Sequence, residues 1–394
     1  MLKNKNLLLI SYYFPPDSNG GTGRPYALYK YLNKFGLKTT VITLDSKTNI
    51  ECDSEVYRAK YWKKYGIIAL AIRMISFLIK KIGLVQYNDL YWQYDVLKKY
   101  KEINKIFDYV YVTYPSIDSL NIGLFLAKKY NIKLISEFRD GLVYEPLEEY
   151  NLLQKIFLRK FEKNLINNSS LVITVGKAIS NYFEEIYNHD NIKTIYNGYD
   201  DEDFELVDSS INITPKRTKI IHIGSISFSK NRSIESLFIV LGNLFKANII
   251  NNSNFELLFV GNLSKEELSL LDKYNIKDIV KTNEPLPKRK ALKISENYNY
   301  LLLYGVPNQK TYISSKLFEY IKIGKPIVGI CKGNEAEIII NSISVGNCYG
   351  FDEIEIAIVD VLNNNIKYST NLKQIDEFSR IRQMKVIYDE ICEI

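Results

Sequence analysis

Short apolar runs alternate along this chain with stretches in which apolar residues recur every three or four positions. The runs read as buried strands and the periodic stretches as amphipathic helices. Asn6–Ser11 is the first strand. A loop, YYFPPDSNGGTGR, leads to a helix over about Pro25–Lys34 and a strand at Thr39–Leu44. Next come strand Tyr109–Thr113, helix Ile117–Tyr130, strand Lys133–Glu137, strand Leu171–Val175, helix Lys177–Tyr187 and strand Lys193–Tyr196. The polar stretch Asp200–Arg217 reads as a linker. A second set follows: strand Lys219–Ile223, helix Ser233–Phe245, strand Glu256–Val260, helix Lys265–Lys273, strand Tyr300–Tyr304, a helical element within Thr311–Gly324 and strand Pro326–Ile330. Strand–helix alternation implies parallel sheets. The predicted fold class is α/β, with two doubly wound Rossmann-like domains, 1–199 and 200–374. In that architecture ligands bind in a cleft at the carboxyl ends of the strands.

Composition narrows the class. A length of 394 residues gives each domain an ample core. The net charge of +7 favours an anionic partner: a nucleotide, a lipid phosphate or an acidic membrane face. No nucleic-acid partner is expected. Cys52, Cys331, Cys348 and Cys392 show neither CxxC spacing nor clustering, and His189 and His222 are the only histidines. Neither a metal site nor any other cofactor is expected, and a reducing cytoplasm fits. The first apolar run, Leu7–Ile10, is too short for a signal peptide.

The richest chemistry lies in TYISSKLFEYIKIGKPIVGI, Thr311 to Ile330. Ser314 or Ser315 can cap a helix start, and Gly324 suits the left-handed turn at its end. Lys316 adds a full charge to the positive partial charge of the helix N-terminus, which makes a phosphate seat. Glu319 is not three residues after either serine, so no capping box needs it. It is left to accept hydrogen bonds from hydroxyls. A phosphate seat beside a hydroxyl acceptor is what a nucleotide-sugar requires; an ordinary helix–strand turn is the alternative.

SSKLFEYIKIGKPIV resembles the donor-binding segment of retaining glycosyltransferases of family four, which have the GT-B fold. The family pattern has two glutamates eight positions apart. Glu319 matches the second, which implies a role at the donor ribose; Thr311 stands where the first would be. FPPDSNGGTGR is similar to the family's opening FPP-x-x-GG-x-x-R, which implies that Gly20 and Gly21 lie beside the donor diphosphate and Asp17 and Arg24 on the acceptor side. A flexible surface turn is the alternative.

Gly224 ends the first strand of the second domain, and Lys230 and Arg232 precede the next helix, where two cations can neutralise a leaving diphosphate. The resemblance puts Lys230 at the family's usual lysine and Ser225 at its usual arginine, a loss that Arg232 can make good. A solvated charge pair is the alternative. SEFRDGL places Arg139 and Asp140 at a strand end. It resembles a segment lying near the acceptor in part of the family, which implies that Asp140 orients the attacking hydroxyl or Arg139 meets phosphate; a structural ion pair between them is the alternative. Asn197, Gly198, Asp200 and Phe204 match a family linker, and Glu284, Pro285 and Leu286 resemble the loop at the nucleotide base. The GT-B resemblance also implies that a final helix, about Ile375–Ile394, packs back on the first domain.

Ile67–Ile79 is nearly all apolar, is interrupted by Arg73, and is flanked by Lys60, Lys63, Lys64, Lys80 and Lys81. It is too short to span a bilayer, which takes ~20 residues. Such a segment suits an interfacial helix on an anionic membrane or a buried helix of the first domain. The whole set implies a retaining hexosyltransferase that moves a sugar from a nucleotide-diphosphate sugar, UDP being favoured, to a glycan or lipid-linked acceptor. The relatives imply surface polysaccharide synthesis, O-antigen or capsule, at the inner face of the plasma membrane. The rival readings are a catalytically silent nucleotide-sugar-binding subunit and a UDP-sugar 2-epimerase of the same fold.

Overall fold

The computed structural model describes residues 4–17, 21–45, 53–61, 70, 71, 74, 77, 78, 89–146, 149–207, 217–226, 233–369 and 371–394. The chain divides into two units, Met1–Asn197 with Ile381–Ile394, and Gly198–Arg380.

The first unit is built on strands β1 (Asn6–Ser11), β2 (Lys38–Leu44), β3 (Val56–Ala59), β4 (Tyr109–Tyr114), β5 (Lys133–Phe138), β6 (Ser169–Thr174) and β7 (Ile192–Thr194). They form one parallel sheet in the order β3-β2-β1-β4-β5-β6-β7. Alternate residues point to opposite faces. Leu8, Ile10, Val110 and Val112 therefore enter one core layer, and Leu7, Leu9, Tyr109 and Tyr111 enter the other. Met384, Ile387 and Ile391 of the last helix complete the second layer. The helix Ile117–Tyr130 shows why the local code is readable here. Ser116 caps it by accepting from the Ser119 N–H, and Asn131 ends it in the left-handed conformation.

The second unit has β8 (Thr218–Ile223), β9 (Phe255–Val260), β10 (Val280–Asn283), β11 (Tyr300–Tyr304), β12 (Ile327–Ile330) and β13 (Gly346–Tyr349). Its parallel sheet runs β10-β9-β8-β11-β12-β13. In both units the order reverses beside the first strand, between β1 and β4 and between β8 and β11. Such a switch point is where doubly wound sheets bind ligands.

Two expectations need correction, and a third gains detail. The single terminal helix from about Ile375 is two helices, Leu372–Glu377 and Arg380–Glu393. The break exists because Tyr199 pairs there as a strand would: its N–H donates to Phe378 O (3.0 Å), and the Arg380 N–H donates to Tyr199 O (2.6 Å). The linker Asp200–Arg217 begins with a 3-10 turn, Asp201–Phe204, that buries Phe204. Finally, Cys331 and Cys348 are neighbours, with free thiols 3.6 Å apart, because parallel pairing of β12 and β13 brings them together. Among the described residues no helix is long and apolar enough to cross a membrane.

Candidate functional site

In the second unit β8 stops at Ile223 and the chain turns through Gly224 at φ +109°. The Gly224 N–H is held by Val260 O at 2.7 Å. Beside it the helix Ser315–Ile323 begins, capped by Ser314, whose hydroxyl accepts from the Lys316 N–H at 3.3 Å. Of the two serines, Ser314 is the cap and Ser315 is the first helical residue, exposed to solvent. The helix ends at Gly324, φ 75°. Its orientation is fixed by Tyr320, a fully buried side chain whose hydroxyl accepts from the Ile223 N–H at 2.8 Å. One turn earlier on the same face, the Lys316 side chain lies across Gly224. A methyl group on Gly224 would sit 2.0 Å from Lys316 Cε and 2.7 Å from Nζ. A side-chain-free turn, an ammonium group and a helix N-terminus thus converge, the arrangement that receives an anion.

Glu319, on the next turn's start, has a largely buried side chain, with Oε1 2.8 Å from Lys288 Nζ. The same ammonium lies 2.6 Å from Asp203 Oδ2. Burial pulls the Lys288 ammonium down, but the two carboxylates outweigh it and hold it above its ordinary range. Lys288 opens the helix Lys288–Ile294 directly after the loop that carries Glu284, Pro285 and the exposed Leu286. Lys322–Asp201 (2.9 Å) and Arg289–Glu205 (3.0 Å) tie the Asp201–Glu205 segment to the same two helices. Thr311, at the position of the expected first glutamate, is buried. Its loop is stapled by Asn334, whose Nδ2 donates to Val306 O (3.1 Å) and Gln309 O (2.5 Å).

In the first unit the charges near the predicted site turn inward. Arg24 is buried and its Nε donates to Glu137 Oε1 at 2.9 Å. Its remaining donors meet the carbonyls of Ile195 (3.1 Å) and Tyr196. Glu137, also buried, accepts from Tyr111 Oη (2.7 Å) and Thr113 Oγ1 (3.0 Å). Arg24 is therefore a structural post and not an acceptor contact, because an interior carboxylate takes its charge. Arg139 and Asp140 follow β5 but do not pair with each other. Arg139 Nε donates to Tyr114 O (3.0 Å) and Nη1 to Gly21 O (2.9 Å), so it braces the glycine loop instead of offering these donors to phosphate. Burial lowers its guanidinium, opposed by Glu137 and Asp140.

The Asp140 carboxylate makes no hydrogen bond among the described residues. Burial raises it above the usual carboxylate range, and Arg139 draws it partly back. The segment after it is held by Glu162, a buried carboxyl that accepts from Tyr187 Oη (2.5 Å) and the Val143 N–H. Burial pushes Glu162 up to about 7. Asp17 is half-buried, with its N–H on Phe14 O at 3.3 Å.

Gly20, Lys230 and Arg232 lie outside the described residues, as does most of Ile67–Ile79. Of that segment Leu70, Ala71, Met74, Phe77 and Leu78 are described; all are helical and exposed. Sequence reasoning missed Tyr320, Lys288 and Asp203, whose contacts hold Ile223 and Glu319 in place, and Glu137, which claims Arg24. Among the described residues no group of three or more histidine, cysteine or acidic side chains is placed to hold a metal ion. His222 is buried in β8 on Leu302 O (2.9 Å), and His189 contacts Ser169 O (2.9 Å).

Solved structures similar to this chain cover nearly all of it. Sucrose-phosphate synthase from Thermosynechococcus elongatus is 15% identical, with a TM-score of 0.70 over 99% of both chains. An alpha,alpha-trehalose-phosphate synthase (UDP-forming) from Burkholderia vietnamiensis is 8% identical, with a TM-score of 0.62 over 99% of both. UDP-GlcNAc 2-epimerase from Methanocaldococcus jannaschii is 13% identical, with a TM-score of 0.52 over 99% of this chain and all of that one. No curated protein matches in sequence. The two parallel-sheet units have the GT-B fold of the two synthases, and residues 19–203 match the family model of Glycosyltransferase Family 4.

Proposed function

We propose that this protein is a retaining glycosyltransferase that moves a sugar from a nucleotide-diphosphate sugar to an acceptor hydroxyl. The observation that carries the reading is Lys316 lying across Gly224 at the capped start of a helix, with the Glu319 carboxylate one turn further in. UDP is favoured as the nucleotide because the trehalose-phosphate synthase is UDP-forming and the epimerase is named for a UDP-sugar.

In the proposed step the bond from the sugar's anomeric carbon to the diphosphate breaks. Lys316, the helix N-terminus, Gly224 and its neighbouring N–H groups, with Lys230 and Arg232, stabilise the charge on the leaving oxygen. The acceptor hydroxyl, oriented by Asp140, forms the new bond on the same face and passes its proton to the Asp140 carboxylate, whose raised basicity suits the task. Glu319 holds the ribose, Leu286 the base, and Gly20 and Gly21 line the diphosphate; Asp17 stays on the acceptor side. The step itself calls for no metal.

The acceptor is proposed to be a lipid-linked glycan of surface polysaccharide synthesis, O-antigen or capsule, met at the inner face of the plasma membrane. The exposed Leu70, Met74, Phe77 and Leu78 recur at helical spacing and form an apolar stripe for an anionic membrane. The epimerase reading is weaker, since each histidine is engaged by a backbone carbonyl, His189 Nε2 by that of Ser169 and His222 Nδ1 by that of Leu302. A melting-temperature screen against nucleotide-sugars followed by assay of UDP release tests the assignment. A rise with a UDP-sugar and UDP release on adding acceptor is expected. A rise without release in any acceptor extract would leave a silent binder, and no rise would overturn the reading.

A further inference from the structure

We infer that Lys288 is a positioning residue that aims Glu319 at the donor ribose. The inference rests on the ribose role proposed above for Glu319. The Lys288 ammonium stands between Asp203 Oδ2 (2.6 Å) and Glu319 Oε1 (2.8 Å), and no other partner of the Glu319 carboxylate is present among the described residues. One carboxylate oxygen is thereby fixed and the other stays available to hydroxyls.

Geometry separates this role from a stabilising one. The Lys288 side chain is more than one-third exposed, while that of Glu319 is largely buried. An ion pair with one such exposed partner adds little to folding stability. Its effect is on direction, because a Glu side chain has three rotatable bonds and a broad final torsion. Holding it in one geometry removes an entropic cost from binding. Asp203 in turn holds the same ammonium, and the helix Lys288–Ile294 fixes the backbone from which it extends. Nothing near Lys288 in sequence signals the pairing; the fold alone brings Asp203, Lys288 and Glu319 together.

The test compares UDP with 2′,3′-dideoxy-UDP by calorimetric titration, so that the readout is the discrimination between ribose with and without hydroxyls. In the parent protein UDP should bind about tenfold to a hundredfold more tightly, as expected for hydrogen bonds to a charged group. Glu319→Gln should reduce this ratio to within a few-fold of unity. Lys288→Met should also lower it substantially, Lys288→Arg should restore most of it, and Lys288→Met in the Glu319→Gln background should change it no further. A melting temperature within a few degrees of the parent's will show that Lys288→Met is folded.

The two readings fail differently. A ratio that survives Glu319→Gln, or is absent from the parent, removes the ribose role and the inference with it. A ratio lost in Glu319→Gln but retained in Lys288→Met leaves the ribose role standing and overturns the role of Lys288. Additive losses in the double variant would also overturn it, since they would mean that Lys288 acts on the ligand directly.

Discussion

Replacing Gly224 with alanine puts a methyl group 2.0 Å from Lys316 Cε, at a backbone φ of +109°. The two consequences have different sizes. The left-handed backbone costs an L-residue about 1–2 kcal/mol, which lowers the melting temperature by about 2–8 °C for a domain of this size. The lysine tip is flexible and swings aside at little further cost to stability. Its displacement is expensive for the ligand, because an ammonium–phosphate hydrogen bond contributes about 1.5–3 kcal/mol. UDP affinity should therefore fall roughly 10- to 150-fold. Lys316→Ala alone should show a similar loss of affinity with a smaller change in melting temperature. The double variant should bind no worse than either single one, since both remove the same contact. Titration calorimetry and thermal unfolding of the three variants measure each quantity. Parent-like UDP affinity in Gly224→Ala, alongside the expected drop in melting temperature, would refute the claim that Lys316 meets the phosphate.

Breaking the buried Arg24–Glu137 pair by Arg24→Met should destabilise the first unit by roughly 3–5 kcal/mol, read from denaturant unfolding, and adding Glu137→Gln should recover part of the loss. Asp140→Asn should lower kcat by about 10²–10⁴-fold while leaving the affinity for UDP unchanged. Because burial raises Asp140, the acid limb of the parent's kcat/KM profile should fall away above the ordinary carboxylate range as pH is lowered. Glu162 is held neutral in the fold, its value raised from 4.5 to about 7, so the stability linked to it is present at low pH and lost as pH rises between those values. Glu162→Gln should flatten that window, by roughly 3 kcal/mol across it, in unfolding curves taken from pH 4.5 to 8.

The fold is legible where a cap signal and a clear apolar period coincide. The helix Ile117–Tyr130 carries a serine before it and an asparagine after it, and its predicted ends match those of the structure. The strand β10 carries no sequence signal because three of its four residues are exposed, so it lacks an apolar run. The helix Leu152–Asn167 is hard to read from sequence although Asn151 and Gln154 form its capping box, because its apolar residues spread around the helix: Leu152 and Leu153 are exposed. The same limit applies to the site. Ser314, Lys316 and Gly324 are neighbours in sequence, and their arrangement could be read there. Arg24 could not be read as an interior charge, because its partner Glu137 lies on a distant strand. Lys288 and Tyr320 act across the fold for the same reason, and the contact between Cys331 and Cys348 depends on strand register, which spacing does not encode.

The bridge between Tyr199 and Ser379 has a topological meaning. Residues 198–380 start and finish at one spot, stitched there by backbone hydrogen bonds, so this half of the molecule behaves as a guest inserted into its host. Inserted modules whose ends meet tolerate excision and grafting. The segment is thus a natural candidate for production as a free-standing fragment, and the vacated joint for closure by a few residues of flexible peptide.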